Sequence, residues 1–274
     1  MQIKYGFRKE FYHFIRTFRM GGILIAVLSF ALADPLMYRM LQYMVAMMEE
    51  MGYDYGEVGT MYNEIMTAPM IHGMSMANIC SSLLLVIMLV LMSPAGGEQK
   101  KRATIIPFTS GLEYGGYLVP KFVIYPLFTL VGTIVAAVVS GLLCNALFTD
   151  PIPPEMLLLA AICAGLFNAF IIVVYFTIGL CTSHPAVTTI SVFIGISLVQ
   201  IILNALQLDD FNPFTLLNLA AGGLYSDGFV LSENIANISV AVALTLVISG
   251  LLYLLTYAVL KSKKINNRED KPEF

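Results

Sequence analysis

Of the 274 residues, 58% are hydrophobic and only 12% are charged, against about 45–50% and about 25% in an ordinary soluble domain. Such a chain cannot hide its apolar surface in a water-borne core, so a soluble enzyme and a nucleic-acid-binding protein are both excluded. The net charge of −3 says little by itself, because the charges are segregated along the chain.

The first element in chain order is GFRKEFYHFIRTFR, residues 6–19. At about 100° per residue, Phe7, Phe11, Phe14 and Phe18 fall on one side and Arg8, Lys9, Arg16 and Arg19 on the other. This pattern predicts an amphipathic interfacial helix, its aromatic face in the headgroup boundary and its basic face toward anionic lipid. The following GGILIAVLSF and Ala31-Leu32-Ala33 imitate a cleavable secretory signal. The structured segment ahead of this run and the apolar residues beyond it argue for a retained first span.

Apolar runs long enough to cross a bilayer, which takes about 20 helical residues, lie at 21–43, 71–93, 118–148, 156–181, 186–206 and 235–260. The fold expected is therefore an all-α membrane protein with six transmembrane helices, forming one domain over 1–260 with a tail at 261–274. Lys and Arg are counted five times before the first span, four times in GGEQKKRATIIPFTSGLEYGGYLVPK (96–121) and five times in the tail, with Arg39 alone elsewhere. The loops at 44–70, 149–155 and 207–234 hold no Lys or Arg and eleven acidic residues. The positive-inside rule then predicts cytoplasmic termini and a cytoplasmic loop at 94–120; the expected location of this multi-pass protein is a bacterial cytoplasmic membrane.

Within this frame, Met37, Met40, Met44, Met47, Met48 and Met51 continue the first helix outward to a break at Gly52. The third run is longer than a bilayer requires, and Pro120 and Pro126 predict that its inner end projects or kinks. The outer segment at 207–234 contains FTLLNLAAGGLY, too short to span and expected as a short interfacial or re-entrant helix. Cys80, Cys144, Cys163 and Cys181 lack metal or redox spacing and fit core positions.

Chemistry is sparse. Spans two to six contain no Asp, Glu, Lys or Arg in their interiors, which argues against ion-coupled transport and intramembrane hydrolysis. Asn78, Asn145, Asn168, Gln200 and Asn204 fit hydrogen bonding between helices, with Asn78, Gln200 and Asn204 as candidates for lining a path. Asp34 and Arg39 are the exceptions, expected to pair locally and to reach the outer headgroups respectively. No phosphate-binding loop GxxxxGK[ST] occurs, so the chain does not hydrolyse ATP by that route, and the energy for any driven work would come from a partner.

A basic amphipathic entry helix, six spans, a basic first inner loop, a very short second inner turn (CTSHPAV, 181–187) and a final outer hydrophobic segment together resemble the membrane subunit of a type-two ATP-binding-cassette exporter. The likeness covers essentially the whole chain. Its most specific part is the inner loop, where Glu98, Arg102, Thr104, Pro107 and Lys121 match the family pattern; the familiar Gly before the Thr is Ala103.

The resemblance implies a permease subunit with no nucleotide site or catalytic residues, working as a homo- or heterodimer with a second permease chain. A cytoplasmic ATP-binding subunit would dock on Glu98, Lys100, Lys101, Arg102, Thr104, Pro107 and Phe108, with a smaller contact at Ser183 and His184. An amphipathic or hydrophobic cargo is expected, moving between the first, second and fifth spans. The alternative is an integral-membrane sensor or assembly protein whose Met-rich external segment binds a ligand or copper, for which thioether and imidazole groups are suited.

Overall fold

The structure is a computed structural model, and the residues it describes are 2–51, 66–98, 113–182, 184–206, 212–226 and 229–269. They form α1 (Gln2–Arg16), α2 (Arg19–Glu50), α3 (Ala68–Asn78), a π turn (Ile79–Leu83), α4 (Leu84–Val90) and a second π turn (Ser93–Gly97). After the basic loop come α5 (Tyr114–Leu147), α6 (Pro154–Thr182), α7 (Pro185–Ala205), α8 (Pro213–Ala220), a 3₁₀ turn (Gly223–Tyr225) and α9 (Leu231–Glu269). No β-strand occurs among the described residues; the one isolated bridge joins Thr67 to Thr149.

Among the described residues, six segments are long and apolar enough to cross a membrane: Arg19–Met48, Ala68–Val90, Tyr114–Leu147, Pro154–Thr182, Pro185–Leu203 and Asn234–Ser262. The chain is an all-α, multi-pass membrane protein. Because successive spans alternate in direction, Arg19, Val90, Tyr114, Thr182, Pro185 and Ser262 share one end of the bundle, here called the basic end. The acidic loops lie at the other.

The α5–α6 pair is the centre of the packing. The apolar window of Pro154–Thr182 is 67% buried, whereas those of Pro185–Leu203 and Asn234–Ser262 are 17% and 11% buried. The fifth and sixth spans are therefore peripheral, leaving most of their apolar surface for lipid or for another chain. Small residues let the central helices approach closely: a Cβ added at Gly165 would sit 3.1 Å from the Leu130 carbonyl oxygen.

Several expectations change in the structure. The helix before the first span ends at Arg16, and Thr17 and Phe18 form a sharp joint in which Phe18 takes φ 56°. Arg19 belongs to the first turn of α2, not to the interfacial helix. Neither Pro120 nor Pro126 interrupts α5, and its first turns are covered by α1, with Gly116, Tyr117, Leu118, Pro120 and Lys121 all buried.

At the acidic end, α8 forms within the expected outer segment and is capped by Asn212, whose side chain accepts from the Phe214 N–H at 2.7 Å. It packs inward, burying Phe214, Leu216, Leu217 and Ala220, with the Phe214 ring edge-on to Phe167. Gly222, at φ 146°, makes the turn that follows it; only glycine adopts that conformation freely.

The methionine stripe extends to Met51, the residue after α2, with Met37, Met40, Met44, Met47, Met48 and Met51 all exposed. Gly52 lies outside the described residues. Within the bundle, Asn168 Nδ2 donates to Thr133 Oγ1 at 3.0 Å and to the Ile79 carbonyl at 3.2 Å. Ile79 opens the first π turn, where the widened helix alters the usual i→i−4 ladder.

Candidate functional site

The most concentrated chemistry lies at the base of the basic loop. Lys121, one residue beyond Pro120 in the second turn of α5, is fully buried. A buried ammonium costs several kcal/mol unless its donors are paired. Its Nζ donates to Glu10 Oε1 of α1 at 3.0 Å, to Glu98 Oε2 at 3.0 Å and to the Pro94 carbonyl in the second π turn at 3.2 Å. Tyr125, one helical turn further along α5, donates to the same Glu10 oxygen at 2.6 Å. Beneath the ammonium, the Tyr117 ring centroid lies 4.9 Å from Nζ, a cation–π distance.

Three pieces of chain distant in sequence thus meet on one lysine: the N-terminal helix, the start of the basic loop and the start of the third span. Two close backbone approaches hold them. Pro120 has no N–H to give the Gly116 carbonyl, and Gly6 of α1 abuts that carbonyl so closely that any Cβ there would collide with it. On the other side, a Cβ at Gly179 of α6 would stand 2.6 Å from the Ala95 carbonyl oxygen of the π turn. Aromatic packing completes the seat: Phe14 meets Tyr125 edge-on at 5.4 Å, and Tyr125 stacks on Phe176 of α6 at 5.1 Å.

The electrostatics follow from the burial. Removal from water alone would raise the Glu10 pKa. The Lys121 ammonium and the hydrogen bonds from Tyr125 and Lys121 outweigh it and hold the carboxyl below its ordinary value. Glu10 is therefore a carboxylate at neutral pH and has no proton to give as an acid. His13 lies 3.9 Å from Glu98 and 3.1 Å from Arg19 Nη1. Partial burial, followed by the Arg19 charge, lowers its pKa, so the ring is neutral and accepts from Arg19 at Nδ1.

Glu10, His13 and Glu98 bring their ligand atoms within 4.8 Å of one another. The Lys121 ammonium occupies the focus of the two carboxylates, so a metal ion would have to displace it. The arrangement suits mechanical clamping better than metal or acid–base chemistry.

The predicted site residues are distributed as follows. Glu98 is in the cluster. Lys100, Lys101, Arg102, Thr104, Pro107 and Phe108 lie outside the described residues, as does Ser183. His184 is exposed between α6 and α7 at the same end of the bundle, its carbonyl accepting from Thr188 N at 3.0 Å.

The aromatic residues of α1 do not act as one face. Phe14 is buried in the core, Phe7 is half-buried, and Phe11 and Phe18 are exposed. The face that meets the protein is Gly6, Glu10 and Phe14, spaced by one helical turn, while Arg16 points outward and Arg19 is half-buried. The four-phenylalanine stripe is corrected on this point: the third span supplies a surface for α1 to pack on, and sequence periodicity alone could not supply that partner.

The path-lining candidates separate. Gln200 lines a cavity of about 260 Å³ between the second and fifth spans, with Cys80, Ser81, Phe193, Ser197 and Leu217. A second cavity of about 460 Å³ lies toward the acidic end and shares Ala77 and Ala221 with the first. Asn78 lines neither. Its amide donates to both oxygens of Asp34 at 3.1 and 3.0 Å, across the α2–α3 contact. The local pairing expected of Asp34 is thereby corrected: the carboxylate is buried, and the donor in reach is Asn78 on the neighbouring helix. Arg39 Nη1 donates to Gln42 Oε1 at 2.9 Å, and its guanidinium lies 4.8 Å from the Tyr43 ring centroid. The Asn204 side chain lies outside the described set.

Sequence reasoning missed Glu10, Tyr125 and the burial of Lys121, having assigned the lysine to a loop and left the spans without interior charge. A signal was present: Glu10 shares the Gly6–Phe14 stripe, and Lys121 stands inside the apolar run LVPKFVIYPLF. Family models, curated proteins and solved structures all return no match to this chain.

Proposed function

We propose that the chain is the permease subunit of an ATP-driven exporter, coupled to a separate cytoplasmic ATPase through its basic inner loop. The observation that carries this reading is the Lys121 cluster. A loop that only connected two spans would need no buried ion network at its root, whereas a loop that receives force needs a stiff one. The exposed His184 turn at the same end offers a second, smaller contact. The sparsely buried fifth and sixth spans suit pairing with a second permease chain, and ATP and Mg belong to the partner.

The cargo is an amphipathic or hydrophobic molecule, such as a peptide, drug or lipid-like compound. The cavity beside Gln200 supports this class, being walled mainly by Cys80, Leu84, Phe193, Ile196 and Leu217 with a few hydroxyl and amide groups. Affinity purification of the full chain from its native membrane tests the reading. An ATPase subunit carrying a phosphate-binding loop should co-purify, and substitution of Lys100, Lys101 and Arg102 by Ala should remove it. Purification of the intact chain without any such subunit would sink the proposal.

A further inference from the structure

The N-terminal helix has two faces with different partners. Its inner face is spent on the protein: Gly6 against the Gly116 carbonyl, Glu10 on Lys121 and Tyr125, and Phe14 in the core. Its outer face presents Tyr5, Tyr12 and Ile15 beside Lys4, Arg8, Lys9 and Arg16, all exposed. The Arg8 guanidinium lies 5.7 Å from the Tyr12 ring centroid, so basic and aromatic groups are interleaved. Glu10 is the only acid of α1 and is used up inside, which leaves the outer face wholly cationic.

Chain continuity fixes where this face lies. Only Thr17 and Phe18 separate α1 from a membrane-spanning helix that starts at Arg19, so α1 cannot leave the bilayer boundary. A cationic, aromatic surface held there meets anionic lipid headgroups, which attract each nearby Lys or Arg appreciably.

We propose that α1 is an arm that reads the anionic membrane surface and passes its position to the root of the inner loop through Lys121. The lysine bonds α1 at Glu10 and the loop root at Pro94 and Glu98 through one ammonium. A displacement of α1 therefore cannot occur without moving or breaking the contacts that hold Ser93–Glu98. Anionic lipid seats α1 and stiffens the loop root; its absence loosens both. Lys121 acts here as a positioning residue.

Hydrogen exchange of the full chain in lipid nanodiscs tests this without any ATPase, so its outcome is independent of whether one docks. The comparison is phosphatidylcholine alone against phosphatidylcholine mixed with phosphatidylglycerol. Phosphatidylglycerol should slow exchange about tenfold both in α1 and at residues 93–98. In Lys121→Met the α1 response should persist while residues 93–98 cease to respond. Gly6→Leu, which prises α1 from α5 with the lysine intact, should uncouple the two segments in the same way and decides the matter if Lys121→Met does not fold.

A wild-type response confined to α1 would overturn the proposal, and so would variants whose loop root still follows the lipid. An α1 indifferent to phosphatidylglycerol would also overturn it, and would assign the cationic face to an acidic protein surface instead.

Discussion

Lys121 holds the basic end together because a buried ammonium must be paired, and the pairing partners come from chain segments far away. Removing it strands two carboxylates, so Lys121→Met should lower stability by about 3–5 kcal/mol, the range for breaking a buried pair. Adding Glu10→Gln to that variant should recover part of the loss in a thermal unfolding assay, since one uncompensated charge then disappears. The pH dependence has a definite sign. The folded-state pKa of Glu10 is depressed, so its stabilising contribution is fully present above the ordinary carboxylate value of about 4.3. It is lost as pH falls through the lower folded value. Docking of α1, followed by a fluorophore on its outer face, should stay constant from pH 8 to pH 5 and fail only in stronger acid. At the other end, His72 Nε2 donates to the Ala137 carbonyl at 3.1 Å, which leaves Nδ1 to accept from the Tyr225 hydroxyl at 2.6 Å. Tyr225→Phe removes that bond and should cost about 1 kcal/mol, read as earlier unfolding of the 3₁₀ turn Gly223–Tyr225.

Among the elements, the π turns and the peripheral helices depart most from a plain six-span bundle. The second π turn brings Ala95 against Gly179, an approach that only a residue without a side chain permits. Gly179→Val should push the turn away from α6 and displace Pro94 and Glu98 with it, so protection of Ser93–Gly97 against hydrogen exchange should fall while the α2–α3 contact is unchanged. The exposed methionines of α2 belong to the competing sensor reading. Replacing Met37, Met40, Met44 and Met47 by Leu keeps the apolar character of the helix and should leave folding within about 0.5 kcal/mol, as expected at exposed positions. If the segment handled copper, the wild-type chain would bind Cu(I) and this variant would not; the exporter reading predicts no difference between them.

At the scale of the whole molecule, the spans were legible because a bilayer imposes its thickness on the sequence, and runs such as MLLLAAICAGLFNAFIIVVYF have no other explanation. The alternation of basic and acidic loops was equally readable and agrees with the way the helices sort into two ends. The ion cluster was not legible. Glu10 and Lys121 are 111 positions apart, and a charged residue near the end of an apolar run looks like the margin of a loop. Which face of α1 is buried was hidden for a related reason: its aromatic and basic residues satisfy an interfacial pattern whether or not one flank packs on protein. The hydrogen bonding between helices expected of Asn78 was legible because polar groups in an apolar span are few, but its partner, Asp34, was not, because it lies 44 positions away on another helix.

On the proposed reading, the basic loop carries energy from an ATPase into the bundle. The most direct test of this coupling reconstitutes the chain with its co-purified ATPase in proteoliposomes and follows ATP hydrolysis and export of a fluorescent amphiphile together. With Lys100, Lys101 and Arg102 replaced by Ala, export should collapse, with hydrolysis either persisting uncoupled or lost along with the ATPase. Export at the wild-type rate from those vesicles would rule out coupling through this loop.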